Sequence, residues 1–255
     1  MKNNVSKVII IIPAYNEEKN IASLMTNIDI VMSRCKVLYR IIVVNDGSTD
    51  DTKNIIEQLS KKYPIDIVNH GTNKGIGQVF FSGLKKSVDI ANEQDIVIVT
   101  EADCTNDPSV IPNMLKKIKE DYDIVIGSRY CRKGKYCNFP ISRHILSIGA
   151  NVLLKHFFFI KGVRDYTIFF RAYKAGILKK AFIEYKDNFI KTNTFVANVE
   201  ILIKLSKIGI KVTEVPLIYN YGLKKGKSGM RIIETLKEYC VFIFKEFKNY
   251  RGKIC

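Results

Sequence analysis

A chain of 255 residues can bury a substantial core, and a composition of 47% hydrophobic and 26% charged residues excludes a disordered polymer. The net charge of +16 is uneven: residues 1–107 hold 12 Lys+Arg against 14 Asp+Glu, whereas residues 108–255 hold 29 against 11. Six cysteines without a CxxC pair argue against a disulfide scaffold and against zinc, and favour a reducing cytoplasm.

In chain order, KVIIII reads as a first buried strand over 7–12. It is too short, and too soon followed by acidic residues, to be a signal segment. Further apolar, β-branched runs at 39–45, 65–69, 95–100 and 123–127 alternate with helix-periodic segments near 17–33, 51–61, 76–90 and 108–120. This alternation implies a mostly parallel sheet with right-handed crossovers, and ligands bind beyond the carboxyl ends of such strands. The polar clusters PAYNE, NDGS, HGTNKG, EAD and SRY all fall there.

After residue 128 the alternation weakens. A basic loop (RYCRKGKYCNF), a hydrophobic helix over 142–159, a strand-like TIFFRAY, a helix near 196–208, a hairpin-like pair over 210–221 and a final helix over 231–249 follow. No linker separates the halves. The expected organisation is one catalytic domain over 1–230, made of a 1–107 half and a 108–230 half, with a C-terminal amphipathic helix over 231–255. No segment is long and apolar enough to span a bilayer.

Glu101 and Asp103 in VTEADCTNDP stand two residues apart, which on an extended segment puts both carboxylates on one side. Two such charges repel unless a cation lies between them, and a hard divalent ion suits the pair. Asp107 before Pro108 is the cap of the next helix. Asp46 ends a strand in VVNDGSTDDT, where it can shape a turn or accept hydrogen bonds from a ligand base. Lys74 sits in NKGIG, a weak match to a phosphate-cradling loop.

PAYNEEKNI, VVNDGSTDDT, NKGIG, EADCTNDP and IGSRY, in this order, resemble the family 2 glycosyltransferases of the GT-A fold. GVRDYTIFFRAY, VTEVPLIY and GKSGM extend the likeness to the branch that glycosylates polyprenyl or dolichyl phosphates. The resemblance implies that Pro13, Tyr15 and Glu17 line the nucleotide pocket, with Asp46 reading the base. It makes Asp103 the principal ligand of Mg²⁺ or Mn²⁺, beside Glu101 and Ala102 in the D-x-D position. It further implies that Arg129 and Arg143 hold acceptor phosphate, that Asp165 and Arg171 shape the sugar and phosphate site, and that Ser228 helps to close a loop. The chain departs from the pattern at Glu101, where Asp is usual, at Asn45, in RDYTIFF, and in having Lys224 or Lys225 for a loop arginine.

These residues suggest a metal-assisted transfer of a hexose from a nucleotide-sugar, of the GDP-mannose or UDP-glucose type, to a polyprenyl phosphate. That acceptor is already anionic, because the second pKa of a phosphate monoester is about 6. A saccharide acceptor would instead need a carboxylate base such as Asp165 or Glu200. Arg129, Arg132, Arg143, Arg164 and Arg171 fall within 43 residues and suit a phosphate through their planar forks. The basic second half, Phe157–Phe159 and a stripe of Ile232, Leu236, Tyr239, Ile243, Phe247 and Tyr250 suit the cytoplasmic membrane surface, a membrane partner subunit or a second copy. No nucleic-acid module is present to use the charge.

Overall fold

The computed structural model describes residues 6–226 and 232–251. The chain runs through β1 (Val8–Ala14), α1 (Ile21–Cys35), β2 (Tyr39–Asp46), α2 (Thr52–Leu59), β3 (Ile65–His70), α3 (Ile76–Ile90), β4 (Ile96–Val99), α4 (Ile111–Lys119) and β5 (Ile124–Ser128). It continues through β6 (Lys135–Cys137), α5 (Ile141–Phe157), β7 (Arg171–Lys174), α6 (Ala175–Tyr185), α7 (Ala197–Lys207), β8 (Val212–Pro216), β9 (Ile218–Asn220) and α8 (Ile232–Arg251).

Seven strands form one sheet in the order β3-β2-β1-β4-β7-β5-β8, in which β7 runs antiparallel to its neighbours and every other pair is parallel. The run from Val8 to Ile12 is fully buried, as a parallel strand covered by helices on both faces requires. The helix α1 buries Ile21, Leu24, Met25, Ile28 and Met32, a spacing that puts one apolar stripe on the sheet. Chain order reverses around β1, whose two neighbours are β2 and β4. The crevice beyond their carboxyl ends is therefore where this sheet holds a ligand.

The five strands expected in the first half are all present, and the helices differ mainly at their starts. Residues 17–20 form a turn closed by Asn20 N–H on the Glu17 carbonyl, so α1 begins at Ile21. The expected hairpin over 210–221 is replaced by two strands in different sheets. One residue, Leu217, separates β8 from β9, too little to reverse the chain; β8 joins β5, and β9 pairs in parallel with β6 as a small second sheet. Of TIFFRAY, Arg171 to Tyr173 lie in β7, which runs on to Lys174. The helix α6 was not expected, although Ala175, Ile177, Leu178 and Ala181 bury at helical spacing.

The last helix docks on its own chain. Phe242 meets Phe158 and Phe247 meets Phe157, Glu246 pairs with Lys207 at 2.6 Å, and Tyr239 and Ile243 are buried. Much of the stripe expected to meet a membrane or partner is thus core. The Ile232 and Tyr250 side chains, and Ser228, lie outside the described residues.

Candidate active site

Glu101 and Asp103 do not sit on extended backbone, as their spacing suggested. β4 ends at Val99, and residues 101–104 turn through Cys104 at φ 62°. Asp103 holds the turn: its Oδ1 accepts from the Thr105 N–H at 3.1 Å and the Thr105 hydroxyl at 2.6 Å. Glu101 Oε2 accepts from Asn106 Nδ2 at 3.0 Å. The Lys224 ammonium reaches across from the segment after β9 and donates to Asp103 Oδ2 at 2.6 Å.

Burial, followed by the Asp103 charge, pushes the Glu101 pKa up to about 7. Burial also raises that of Glu17, which feels both Asp103 and Lys224. For Lys224, burial works against the charge, but Asp103 and then Glu101 and Glu17 outweigh it and hold the ammonium above the ordinary lysine range. Among the described residues no three His, Cys, Asp or Glu side chains gather as a complete metal cage. The donor set nevertheless fits a hard divalent ion, since two carboxylates face one cavity, a cation already occupies one of them, and phosphate oxygens and water complete such shells.

Asp46, at the end of β2, accepts from the backbone N–H groups of Lys74 and Gly75 at 2.9 and 3.0 Å and pairs with His70 Nδ1 at 2.7 Å. The carboxylate thus organises the 73–77 loop, with two bonds on Oδ1 and one on Oδ2, which keeps a lone-pair site. Gly75 has φ 89°, and a Cβ there would lie 2.9 Å from the Asn193 carbonyl oxygen. Only glycine suits that position. Lys74 itself is exposed, Pro13 near the end of β1 and Glu17 after it are half-buried, Tyr15 is exposed and Ala102, after β4, is buried.

One cavity is lined by an acidic group, Glu101 and Asp103 with Lys224, and by a basic group, Arg129 and Arg143. Arg129 and Asp165 form a buried fork-to-fork pair: Nε and Nη2 donate to the two carboxylate oxygens at 2.8 and 2.7 Å, and Nη2 also reaches Thr167 at 2.7 Å. The rings of Tyr130, Tyr136 and Tyr219 surround the guanidinium at 5.0 to 5.6 Å. Burial alone would lower the Arg129 pKa, but the Asp165 charge raises it. Arg143 Nη1 donates to the Tyr221 hydroxyl at 3.1 Å.

Asp165 and Arg171 are not on the cavity wall. Arg171 is fully buried and donates to the carbonyls of Asn198 and Tyr166, tying β7 to α7. Glu200 accepts from Thr192 and pairs with Lys204. Arg132 and Arg164 are exposed. The rest of the wall is largely apolar, with Leu146 and Ala150 of α5, Phe169 and Phe195, and Leu236 and Tyr239 of α8. Sequence reasoning missed His70, Thr105, Tyr219 and Tyr221, although all lie in or beside the strand-end clusters. It noted Lys224 only as a replacement.

Residues 9–185 match the model of glycosyl transferase family 2. A dolichol-phosphate mannosyltransferase of Pyrococcus furiosus is 33% identical over 97% of this chain, and the chain spans 65% of that relative's length. An uncharacterized protein of Methanocaldococcus jannaschii is 30% identical, with 93% of this chain and 100% of the relative aligned. Among solved structures, glucosyl-3-phosphoglycerate synthase of Mycobacterium tuberculosis, in complex with Mn²⁺, UDP-glucose and phosphoglyceric acid, superposes with a TM-score of 0.63. It shares 18% identity, covering 92% of this chain and 80% of the other, and the likeness is one of fold, GT-A.

Proposed function

The chain belongs to glycosyl transferase family 2, and on that premise we propose that it moves a hexose from a nucleotide-diphosphate sugar to a polyprenyl or dolichyl monophosphate at the cytoplasmic surface of a membrane. The observation that carries this reading is the composition of the cavity that Glu101 and Asp103 line. Among the described residues its carboxylates are Glu101 and Asp103, its cations are Arg129, Arg143 and Lys224, and its remaining wall is mainly apolar. An amphiphile with an anionic head matches that lining. Asp165 and Glu200, the carboxylates that could have served a hydroxyl acceptor as base, are buried in ion pairs elsewhere.

The donor's diphosphate lies beyond β1 and β4, with its nucleoside over Pro13, Tyr15 and Glu17 and the Asp46-braced loop. A divalent ion, Mg²⁺ or Mn²⁺, held by Asp103 and Glu101 would neutralise charge building on the departing phosphate. Arg143, with Arg129 beside it on the cavity wall, holds the acceptor phosphate so that its oxygen faces the sugar C1. A phosphate monoester is largely dianionic at neutral pH, so no group on this chain must take a proton. The similarity to the mannosyltransferase supports such an acceptor, and the neighbour's complex with Mn²⁺ and UDP-glucose supports such a donor and metal.

Among the described residues no helix is long and apolar enough to cross a membrane. Exposed apolar side chains are concentrated on the packed pair α5 and α8: Ile141, Ile145 and Val152 on the first, Val241 and Phe244 on the second. Together with the basic second half they suit shallow insertion beside anionic headgroups.

One observation favours a second reading, transfer to a saccharide hydroxyl: a Glu101 with a pKa of about 7 is poised to act as a base. Purified protein with polyprenyl phosphate, GDP- and UDP-sugars and Mg²⁺ or Mn²⁺ separates the two. The proposal expects a glycosylated lipid phosphate by mass spectrometry. Glycosylated oligosaccharide without lipid product refutes it.

A further inference from the structure

Asp103 Oδ1 already accepts two hydrogen bonds from Thr105, which fills its lone-pair sites. The other oxygen, Oδ2, is the one with capacity for a cation, and Lys224 Nζ lies on it at 2.6 Å. We propose that Lys224 is the resident counter-ion of Asp103 in the unloaded protein, and that a divalent cation must expel it, which releases residues 221–226 from the carboxylates. The inference rests on the metal role proposed above for Asp103.

Three features support the exchange. Glu17, Glu101 and Asp103 all act on the Lys224 ammonium, so one positive charge faces three carboxylates and leaves the site short of cation. A dication meets that deficit better than an ammonium, yet the two cannot share Oδ2, because their mutual repulsion at such separations is severe. The segment that carries Lys224 is tethered independently. Asn20 Nδ2 donates to the Lys225 carbonyl at 2.8 Å, and the Lys225 N–H donates to Asn20 Oδ1 at 3.2 Å. Loss of the ion pair therefore swings the side chain and loosens the segment without detaching it. Lys224 and Tyr221 line the same cavity as Arg143, so this movement changes the lining between the acidic and basic groups of the site.

The test is Mn²⁺ binding without donor, followed by electron paramagnetic resonance, for wild type, Lys224→Gln, Lys224→Arg and Asp103→Ala. Alongside it, hydrogen exchange is measured over 221–226 with and without Mn²⁺. Lys224→Gln should bind Mn²⁺ about tenfold more tightly, as loss of a charge-assisted bond to the competing ammonium implies. Lys224→Arg should stay near wild type, and Asp103→Ala should lose binding. In wild type, Mn²⁺ should speed exchange over 221–226; in Lys224→Gln exchange should be fast already and indifferent to Mn²⁺. The exchange response separates displacement from a general effect of removing a positive charge, and the wild-type measurement decides even if a variant does not fold. Unchanged or weaker Mn²⁺ affinity in Lys224→Gln, or wild-type exchange indifferent to bound Mn²⁺, overturns the displacement while leaving the metal role of Asp103 standing. Binding that survives in Asp103→Ala overturns both.

Discussion

The two charged ends of the cavity are built by opposite means. The acidic end is held by bonds between near neighbours in sequence: Asp103 with Thr105 and Glu101 with Asn106. Its like charges are offset only in part by one lysine from a distant segment. The basic end is held by long-range pairs, Arg129 with Asp165 across 36 residues and Arg143 with Tyr221 across 78. There the Arg129 charge is met by a buried carboxylate. The lesson is that charge at the first end is left available for a ligand, whereas much of it at the second is framework.

The largest effect should come from breaking that framework. Asp165→Leu strands the Arg129 guanidinium in the interior and should cost about 3–5 kcal/mol of stability in urea titrations. Arg129→Met with Asp165→Leu should recover most of the loss, since an apolar pair of similar volume carries no buried charge. A cost below about 1 kcal/mol for the single change would show that the pair is not framework.

The acidic end should respond in the other currency. Asp103→Ala should leave folding cooperative and near wild-type in midpoint, while turnover falls by several kcal/mol of transition-state stabilisation, on the order of a hundredfold or more. Equal losses of stability and turnover would erase the contrast between the ends.

A smaller loss is expected at Arg143, the basic-end arginine that donates to the Tyr221 hydroxyl. Arg143→Ala should lower kcat/KM for lipid phosphate by roughly 1.5–3 kcal/mol, with donor affinity unchanged and Lys a partial rescue.

The smallest effect is on pH dependence. Glu101 ordinarily titrates at 4.5 and is pushed up to about 7 in the folded chain. Between those values the folded state keeps a proton that the unfolded state has lost, so stability falls as pH rises from about 4.5 to about 7. Glu101→Gln should flatten that slope in metal-free denaturation curves, and an unchanged slope would deny the upward shift that burial, and then the Asp103 charge, impose on Glu101.

The same contrast explains what could be read in the sequence. The buried runs of β1 to β5 declare themselves, because a parallel sheet demands unbroken apolar strands, and the turns after them put Pro13, Asp46, Glu101 and Asp103 near one edge. In the second half, local pattern misleads. Arg171 reads like Arg129 or Arg143 as a phosphate ligand, but its environment is set by Asn198 and Tyr166, which no spacing rule links to it. The 210–221 segment has two strand-like runs, and only the partners β5 and β6, far upstream, decide that they part company. For α8, amphipathicity marked Tyr239, Ile243 and Phe247, which turn inward, but not Phe242, and could not say that Phe157 and Phe158 would meet this helix.

The most direct measurement is a paired titration of polyprenyl phosphate and the matching unphosphorylated polyprenol, with one nucleotide-sugar and Mn²⁺. The account predicts turnover with the phosphate alone, because the basic end of the cavity recognises the anionic head and no group there deprotonates a hydroxyl. Comparable kcat/KM for the polyprenol, or for a free saccharide, would contradict it.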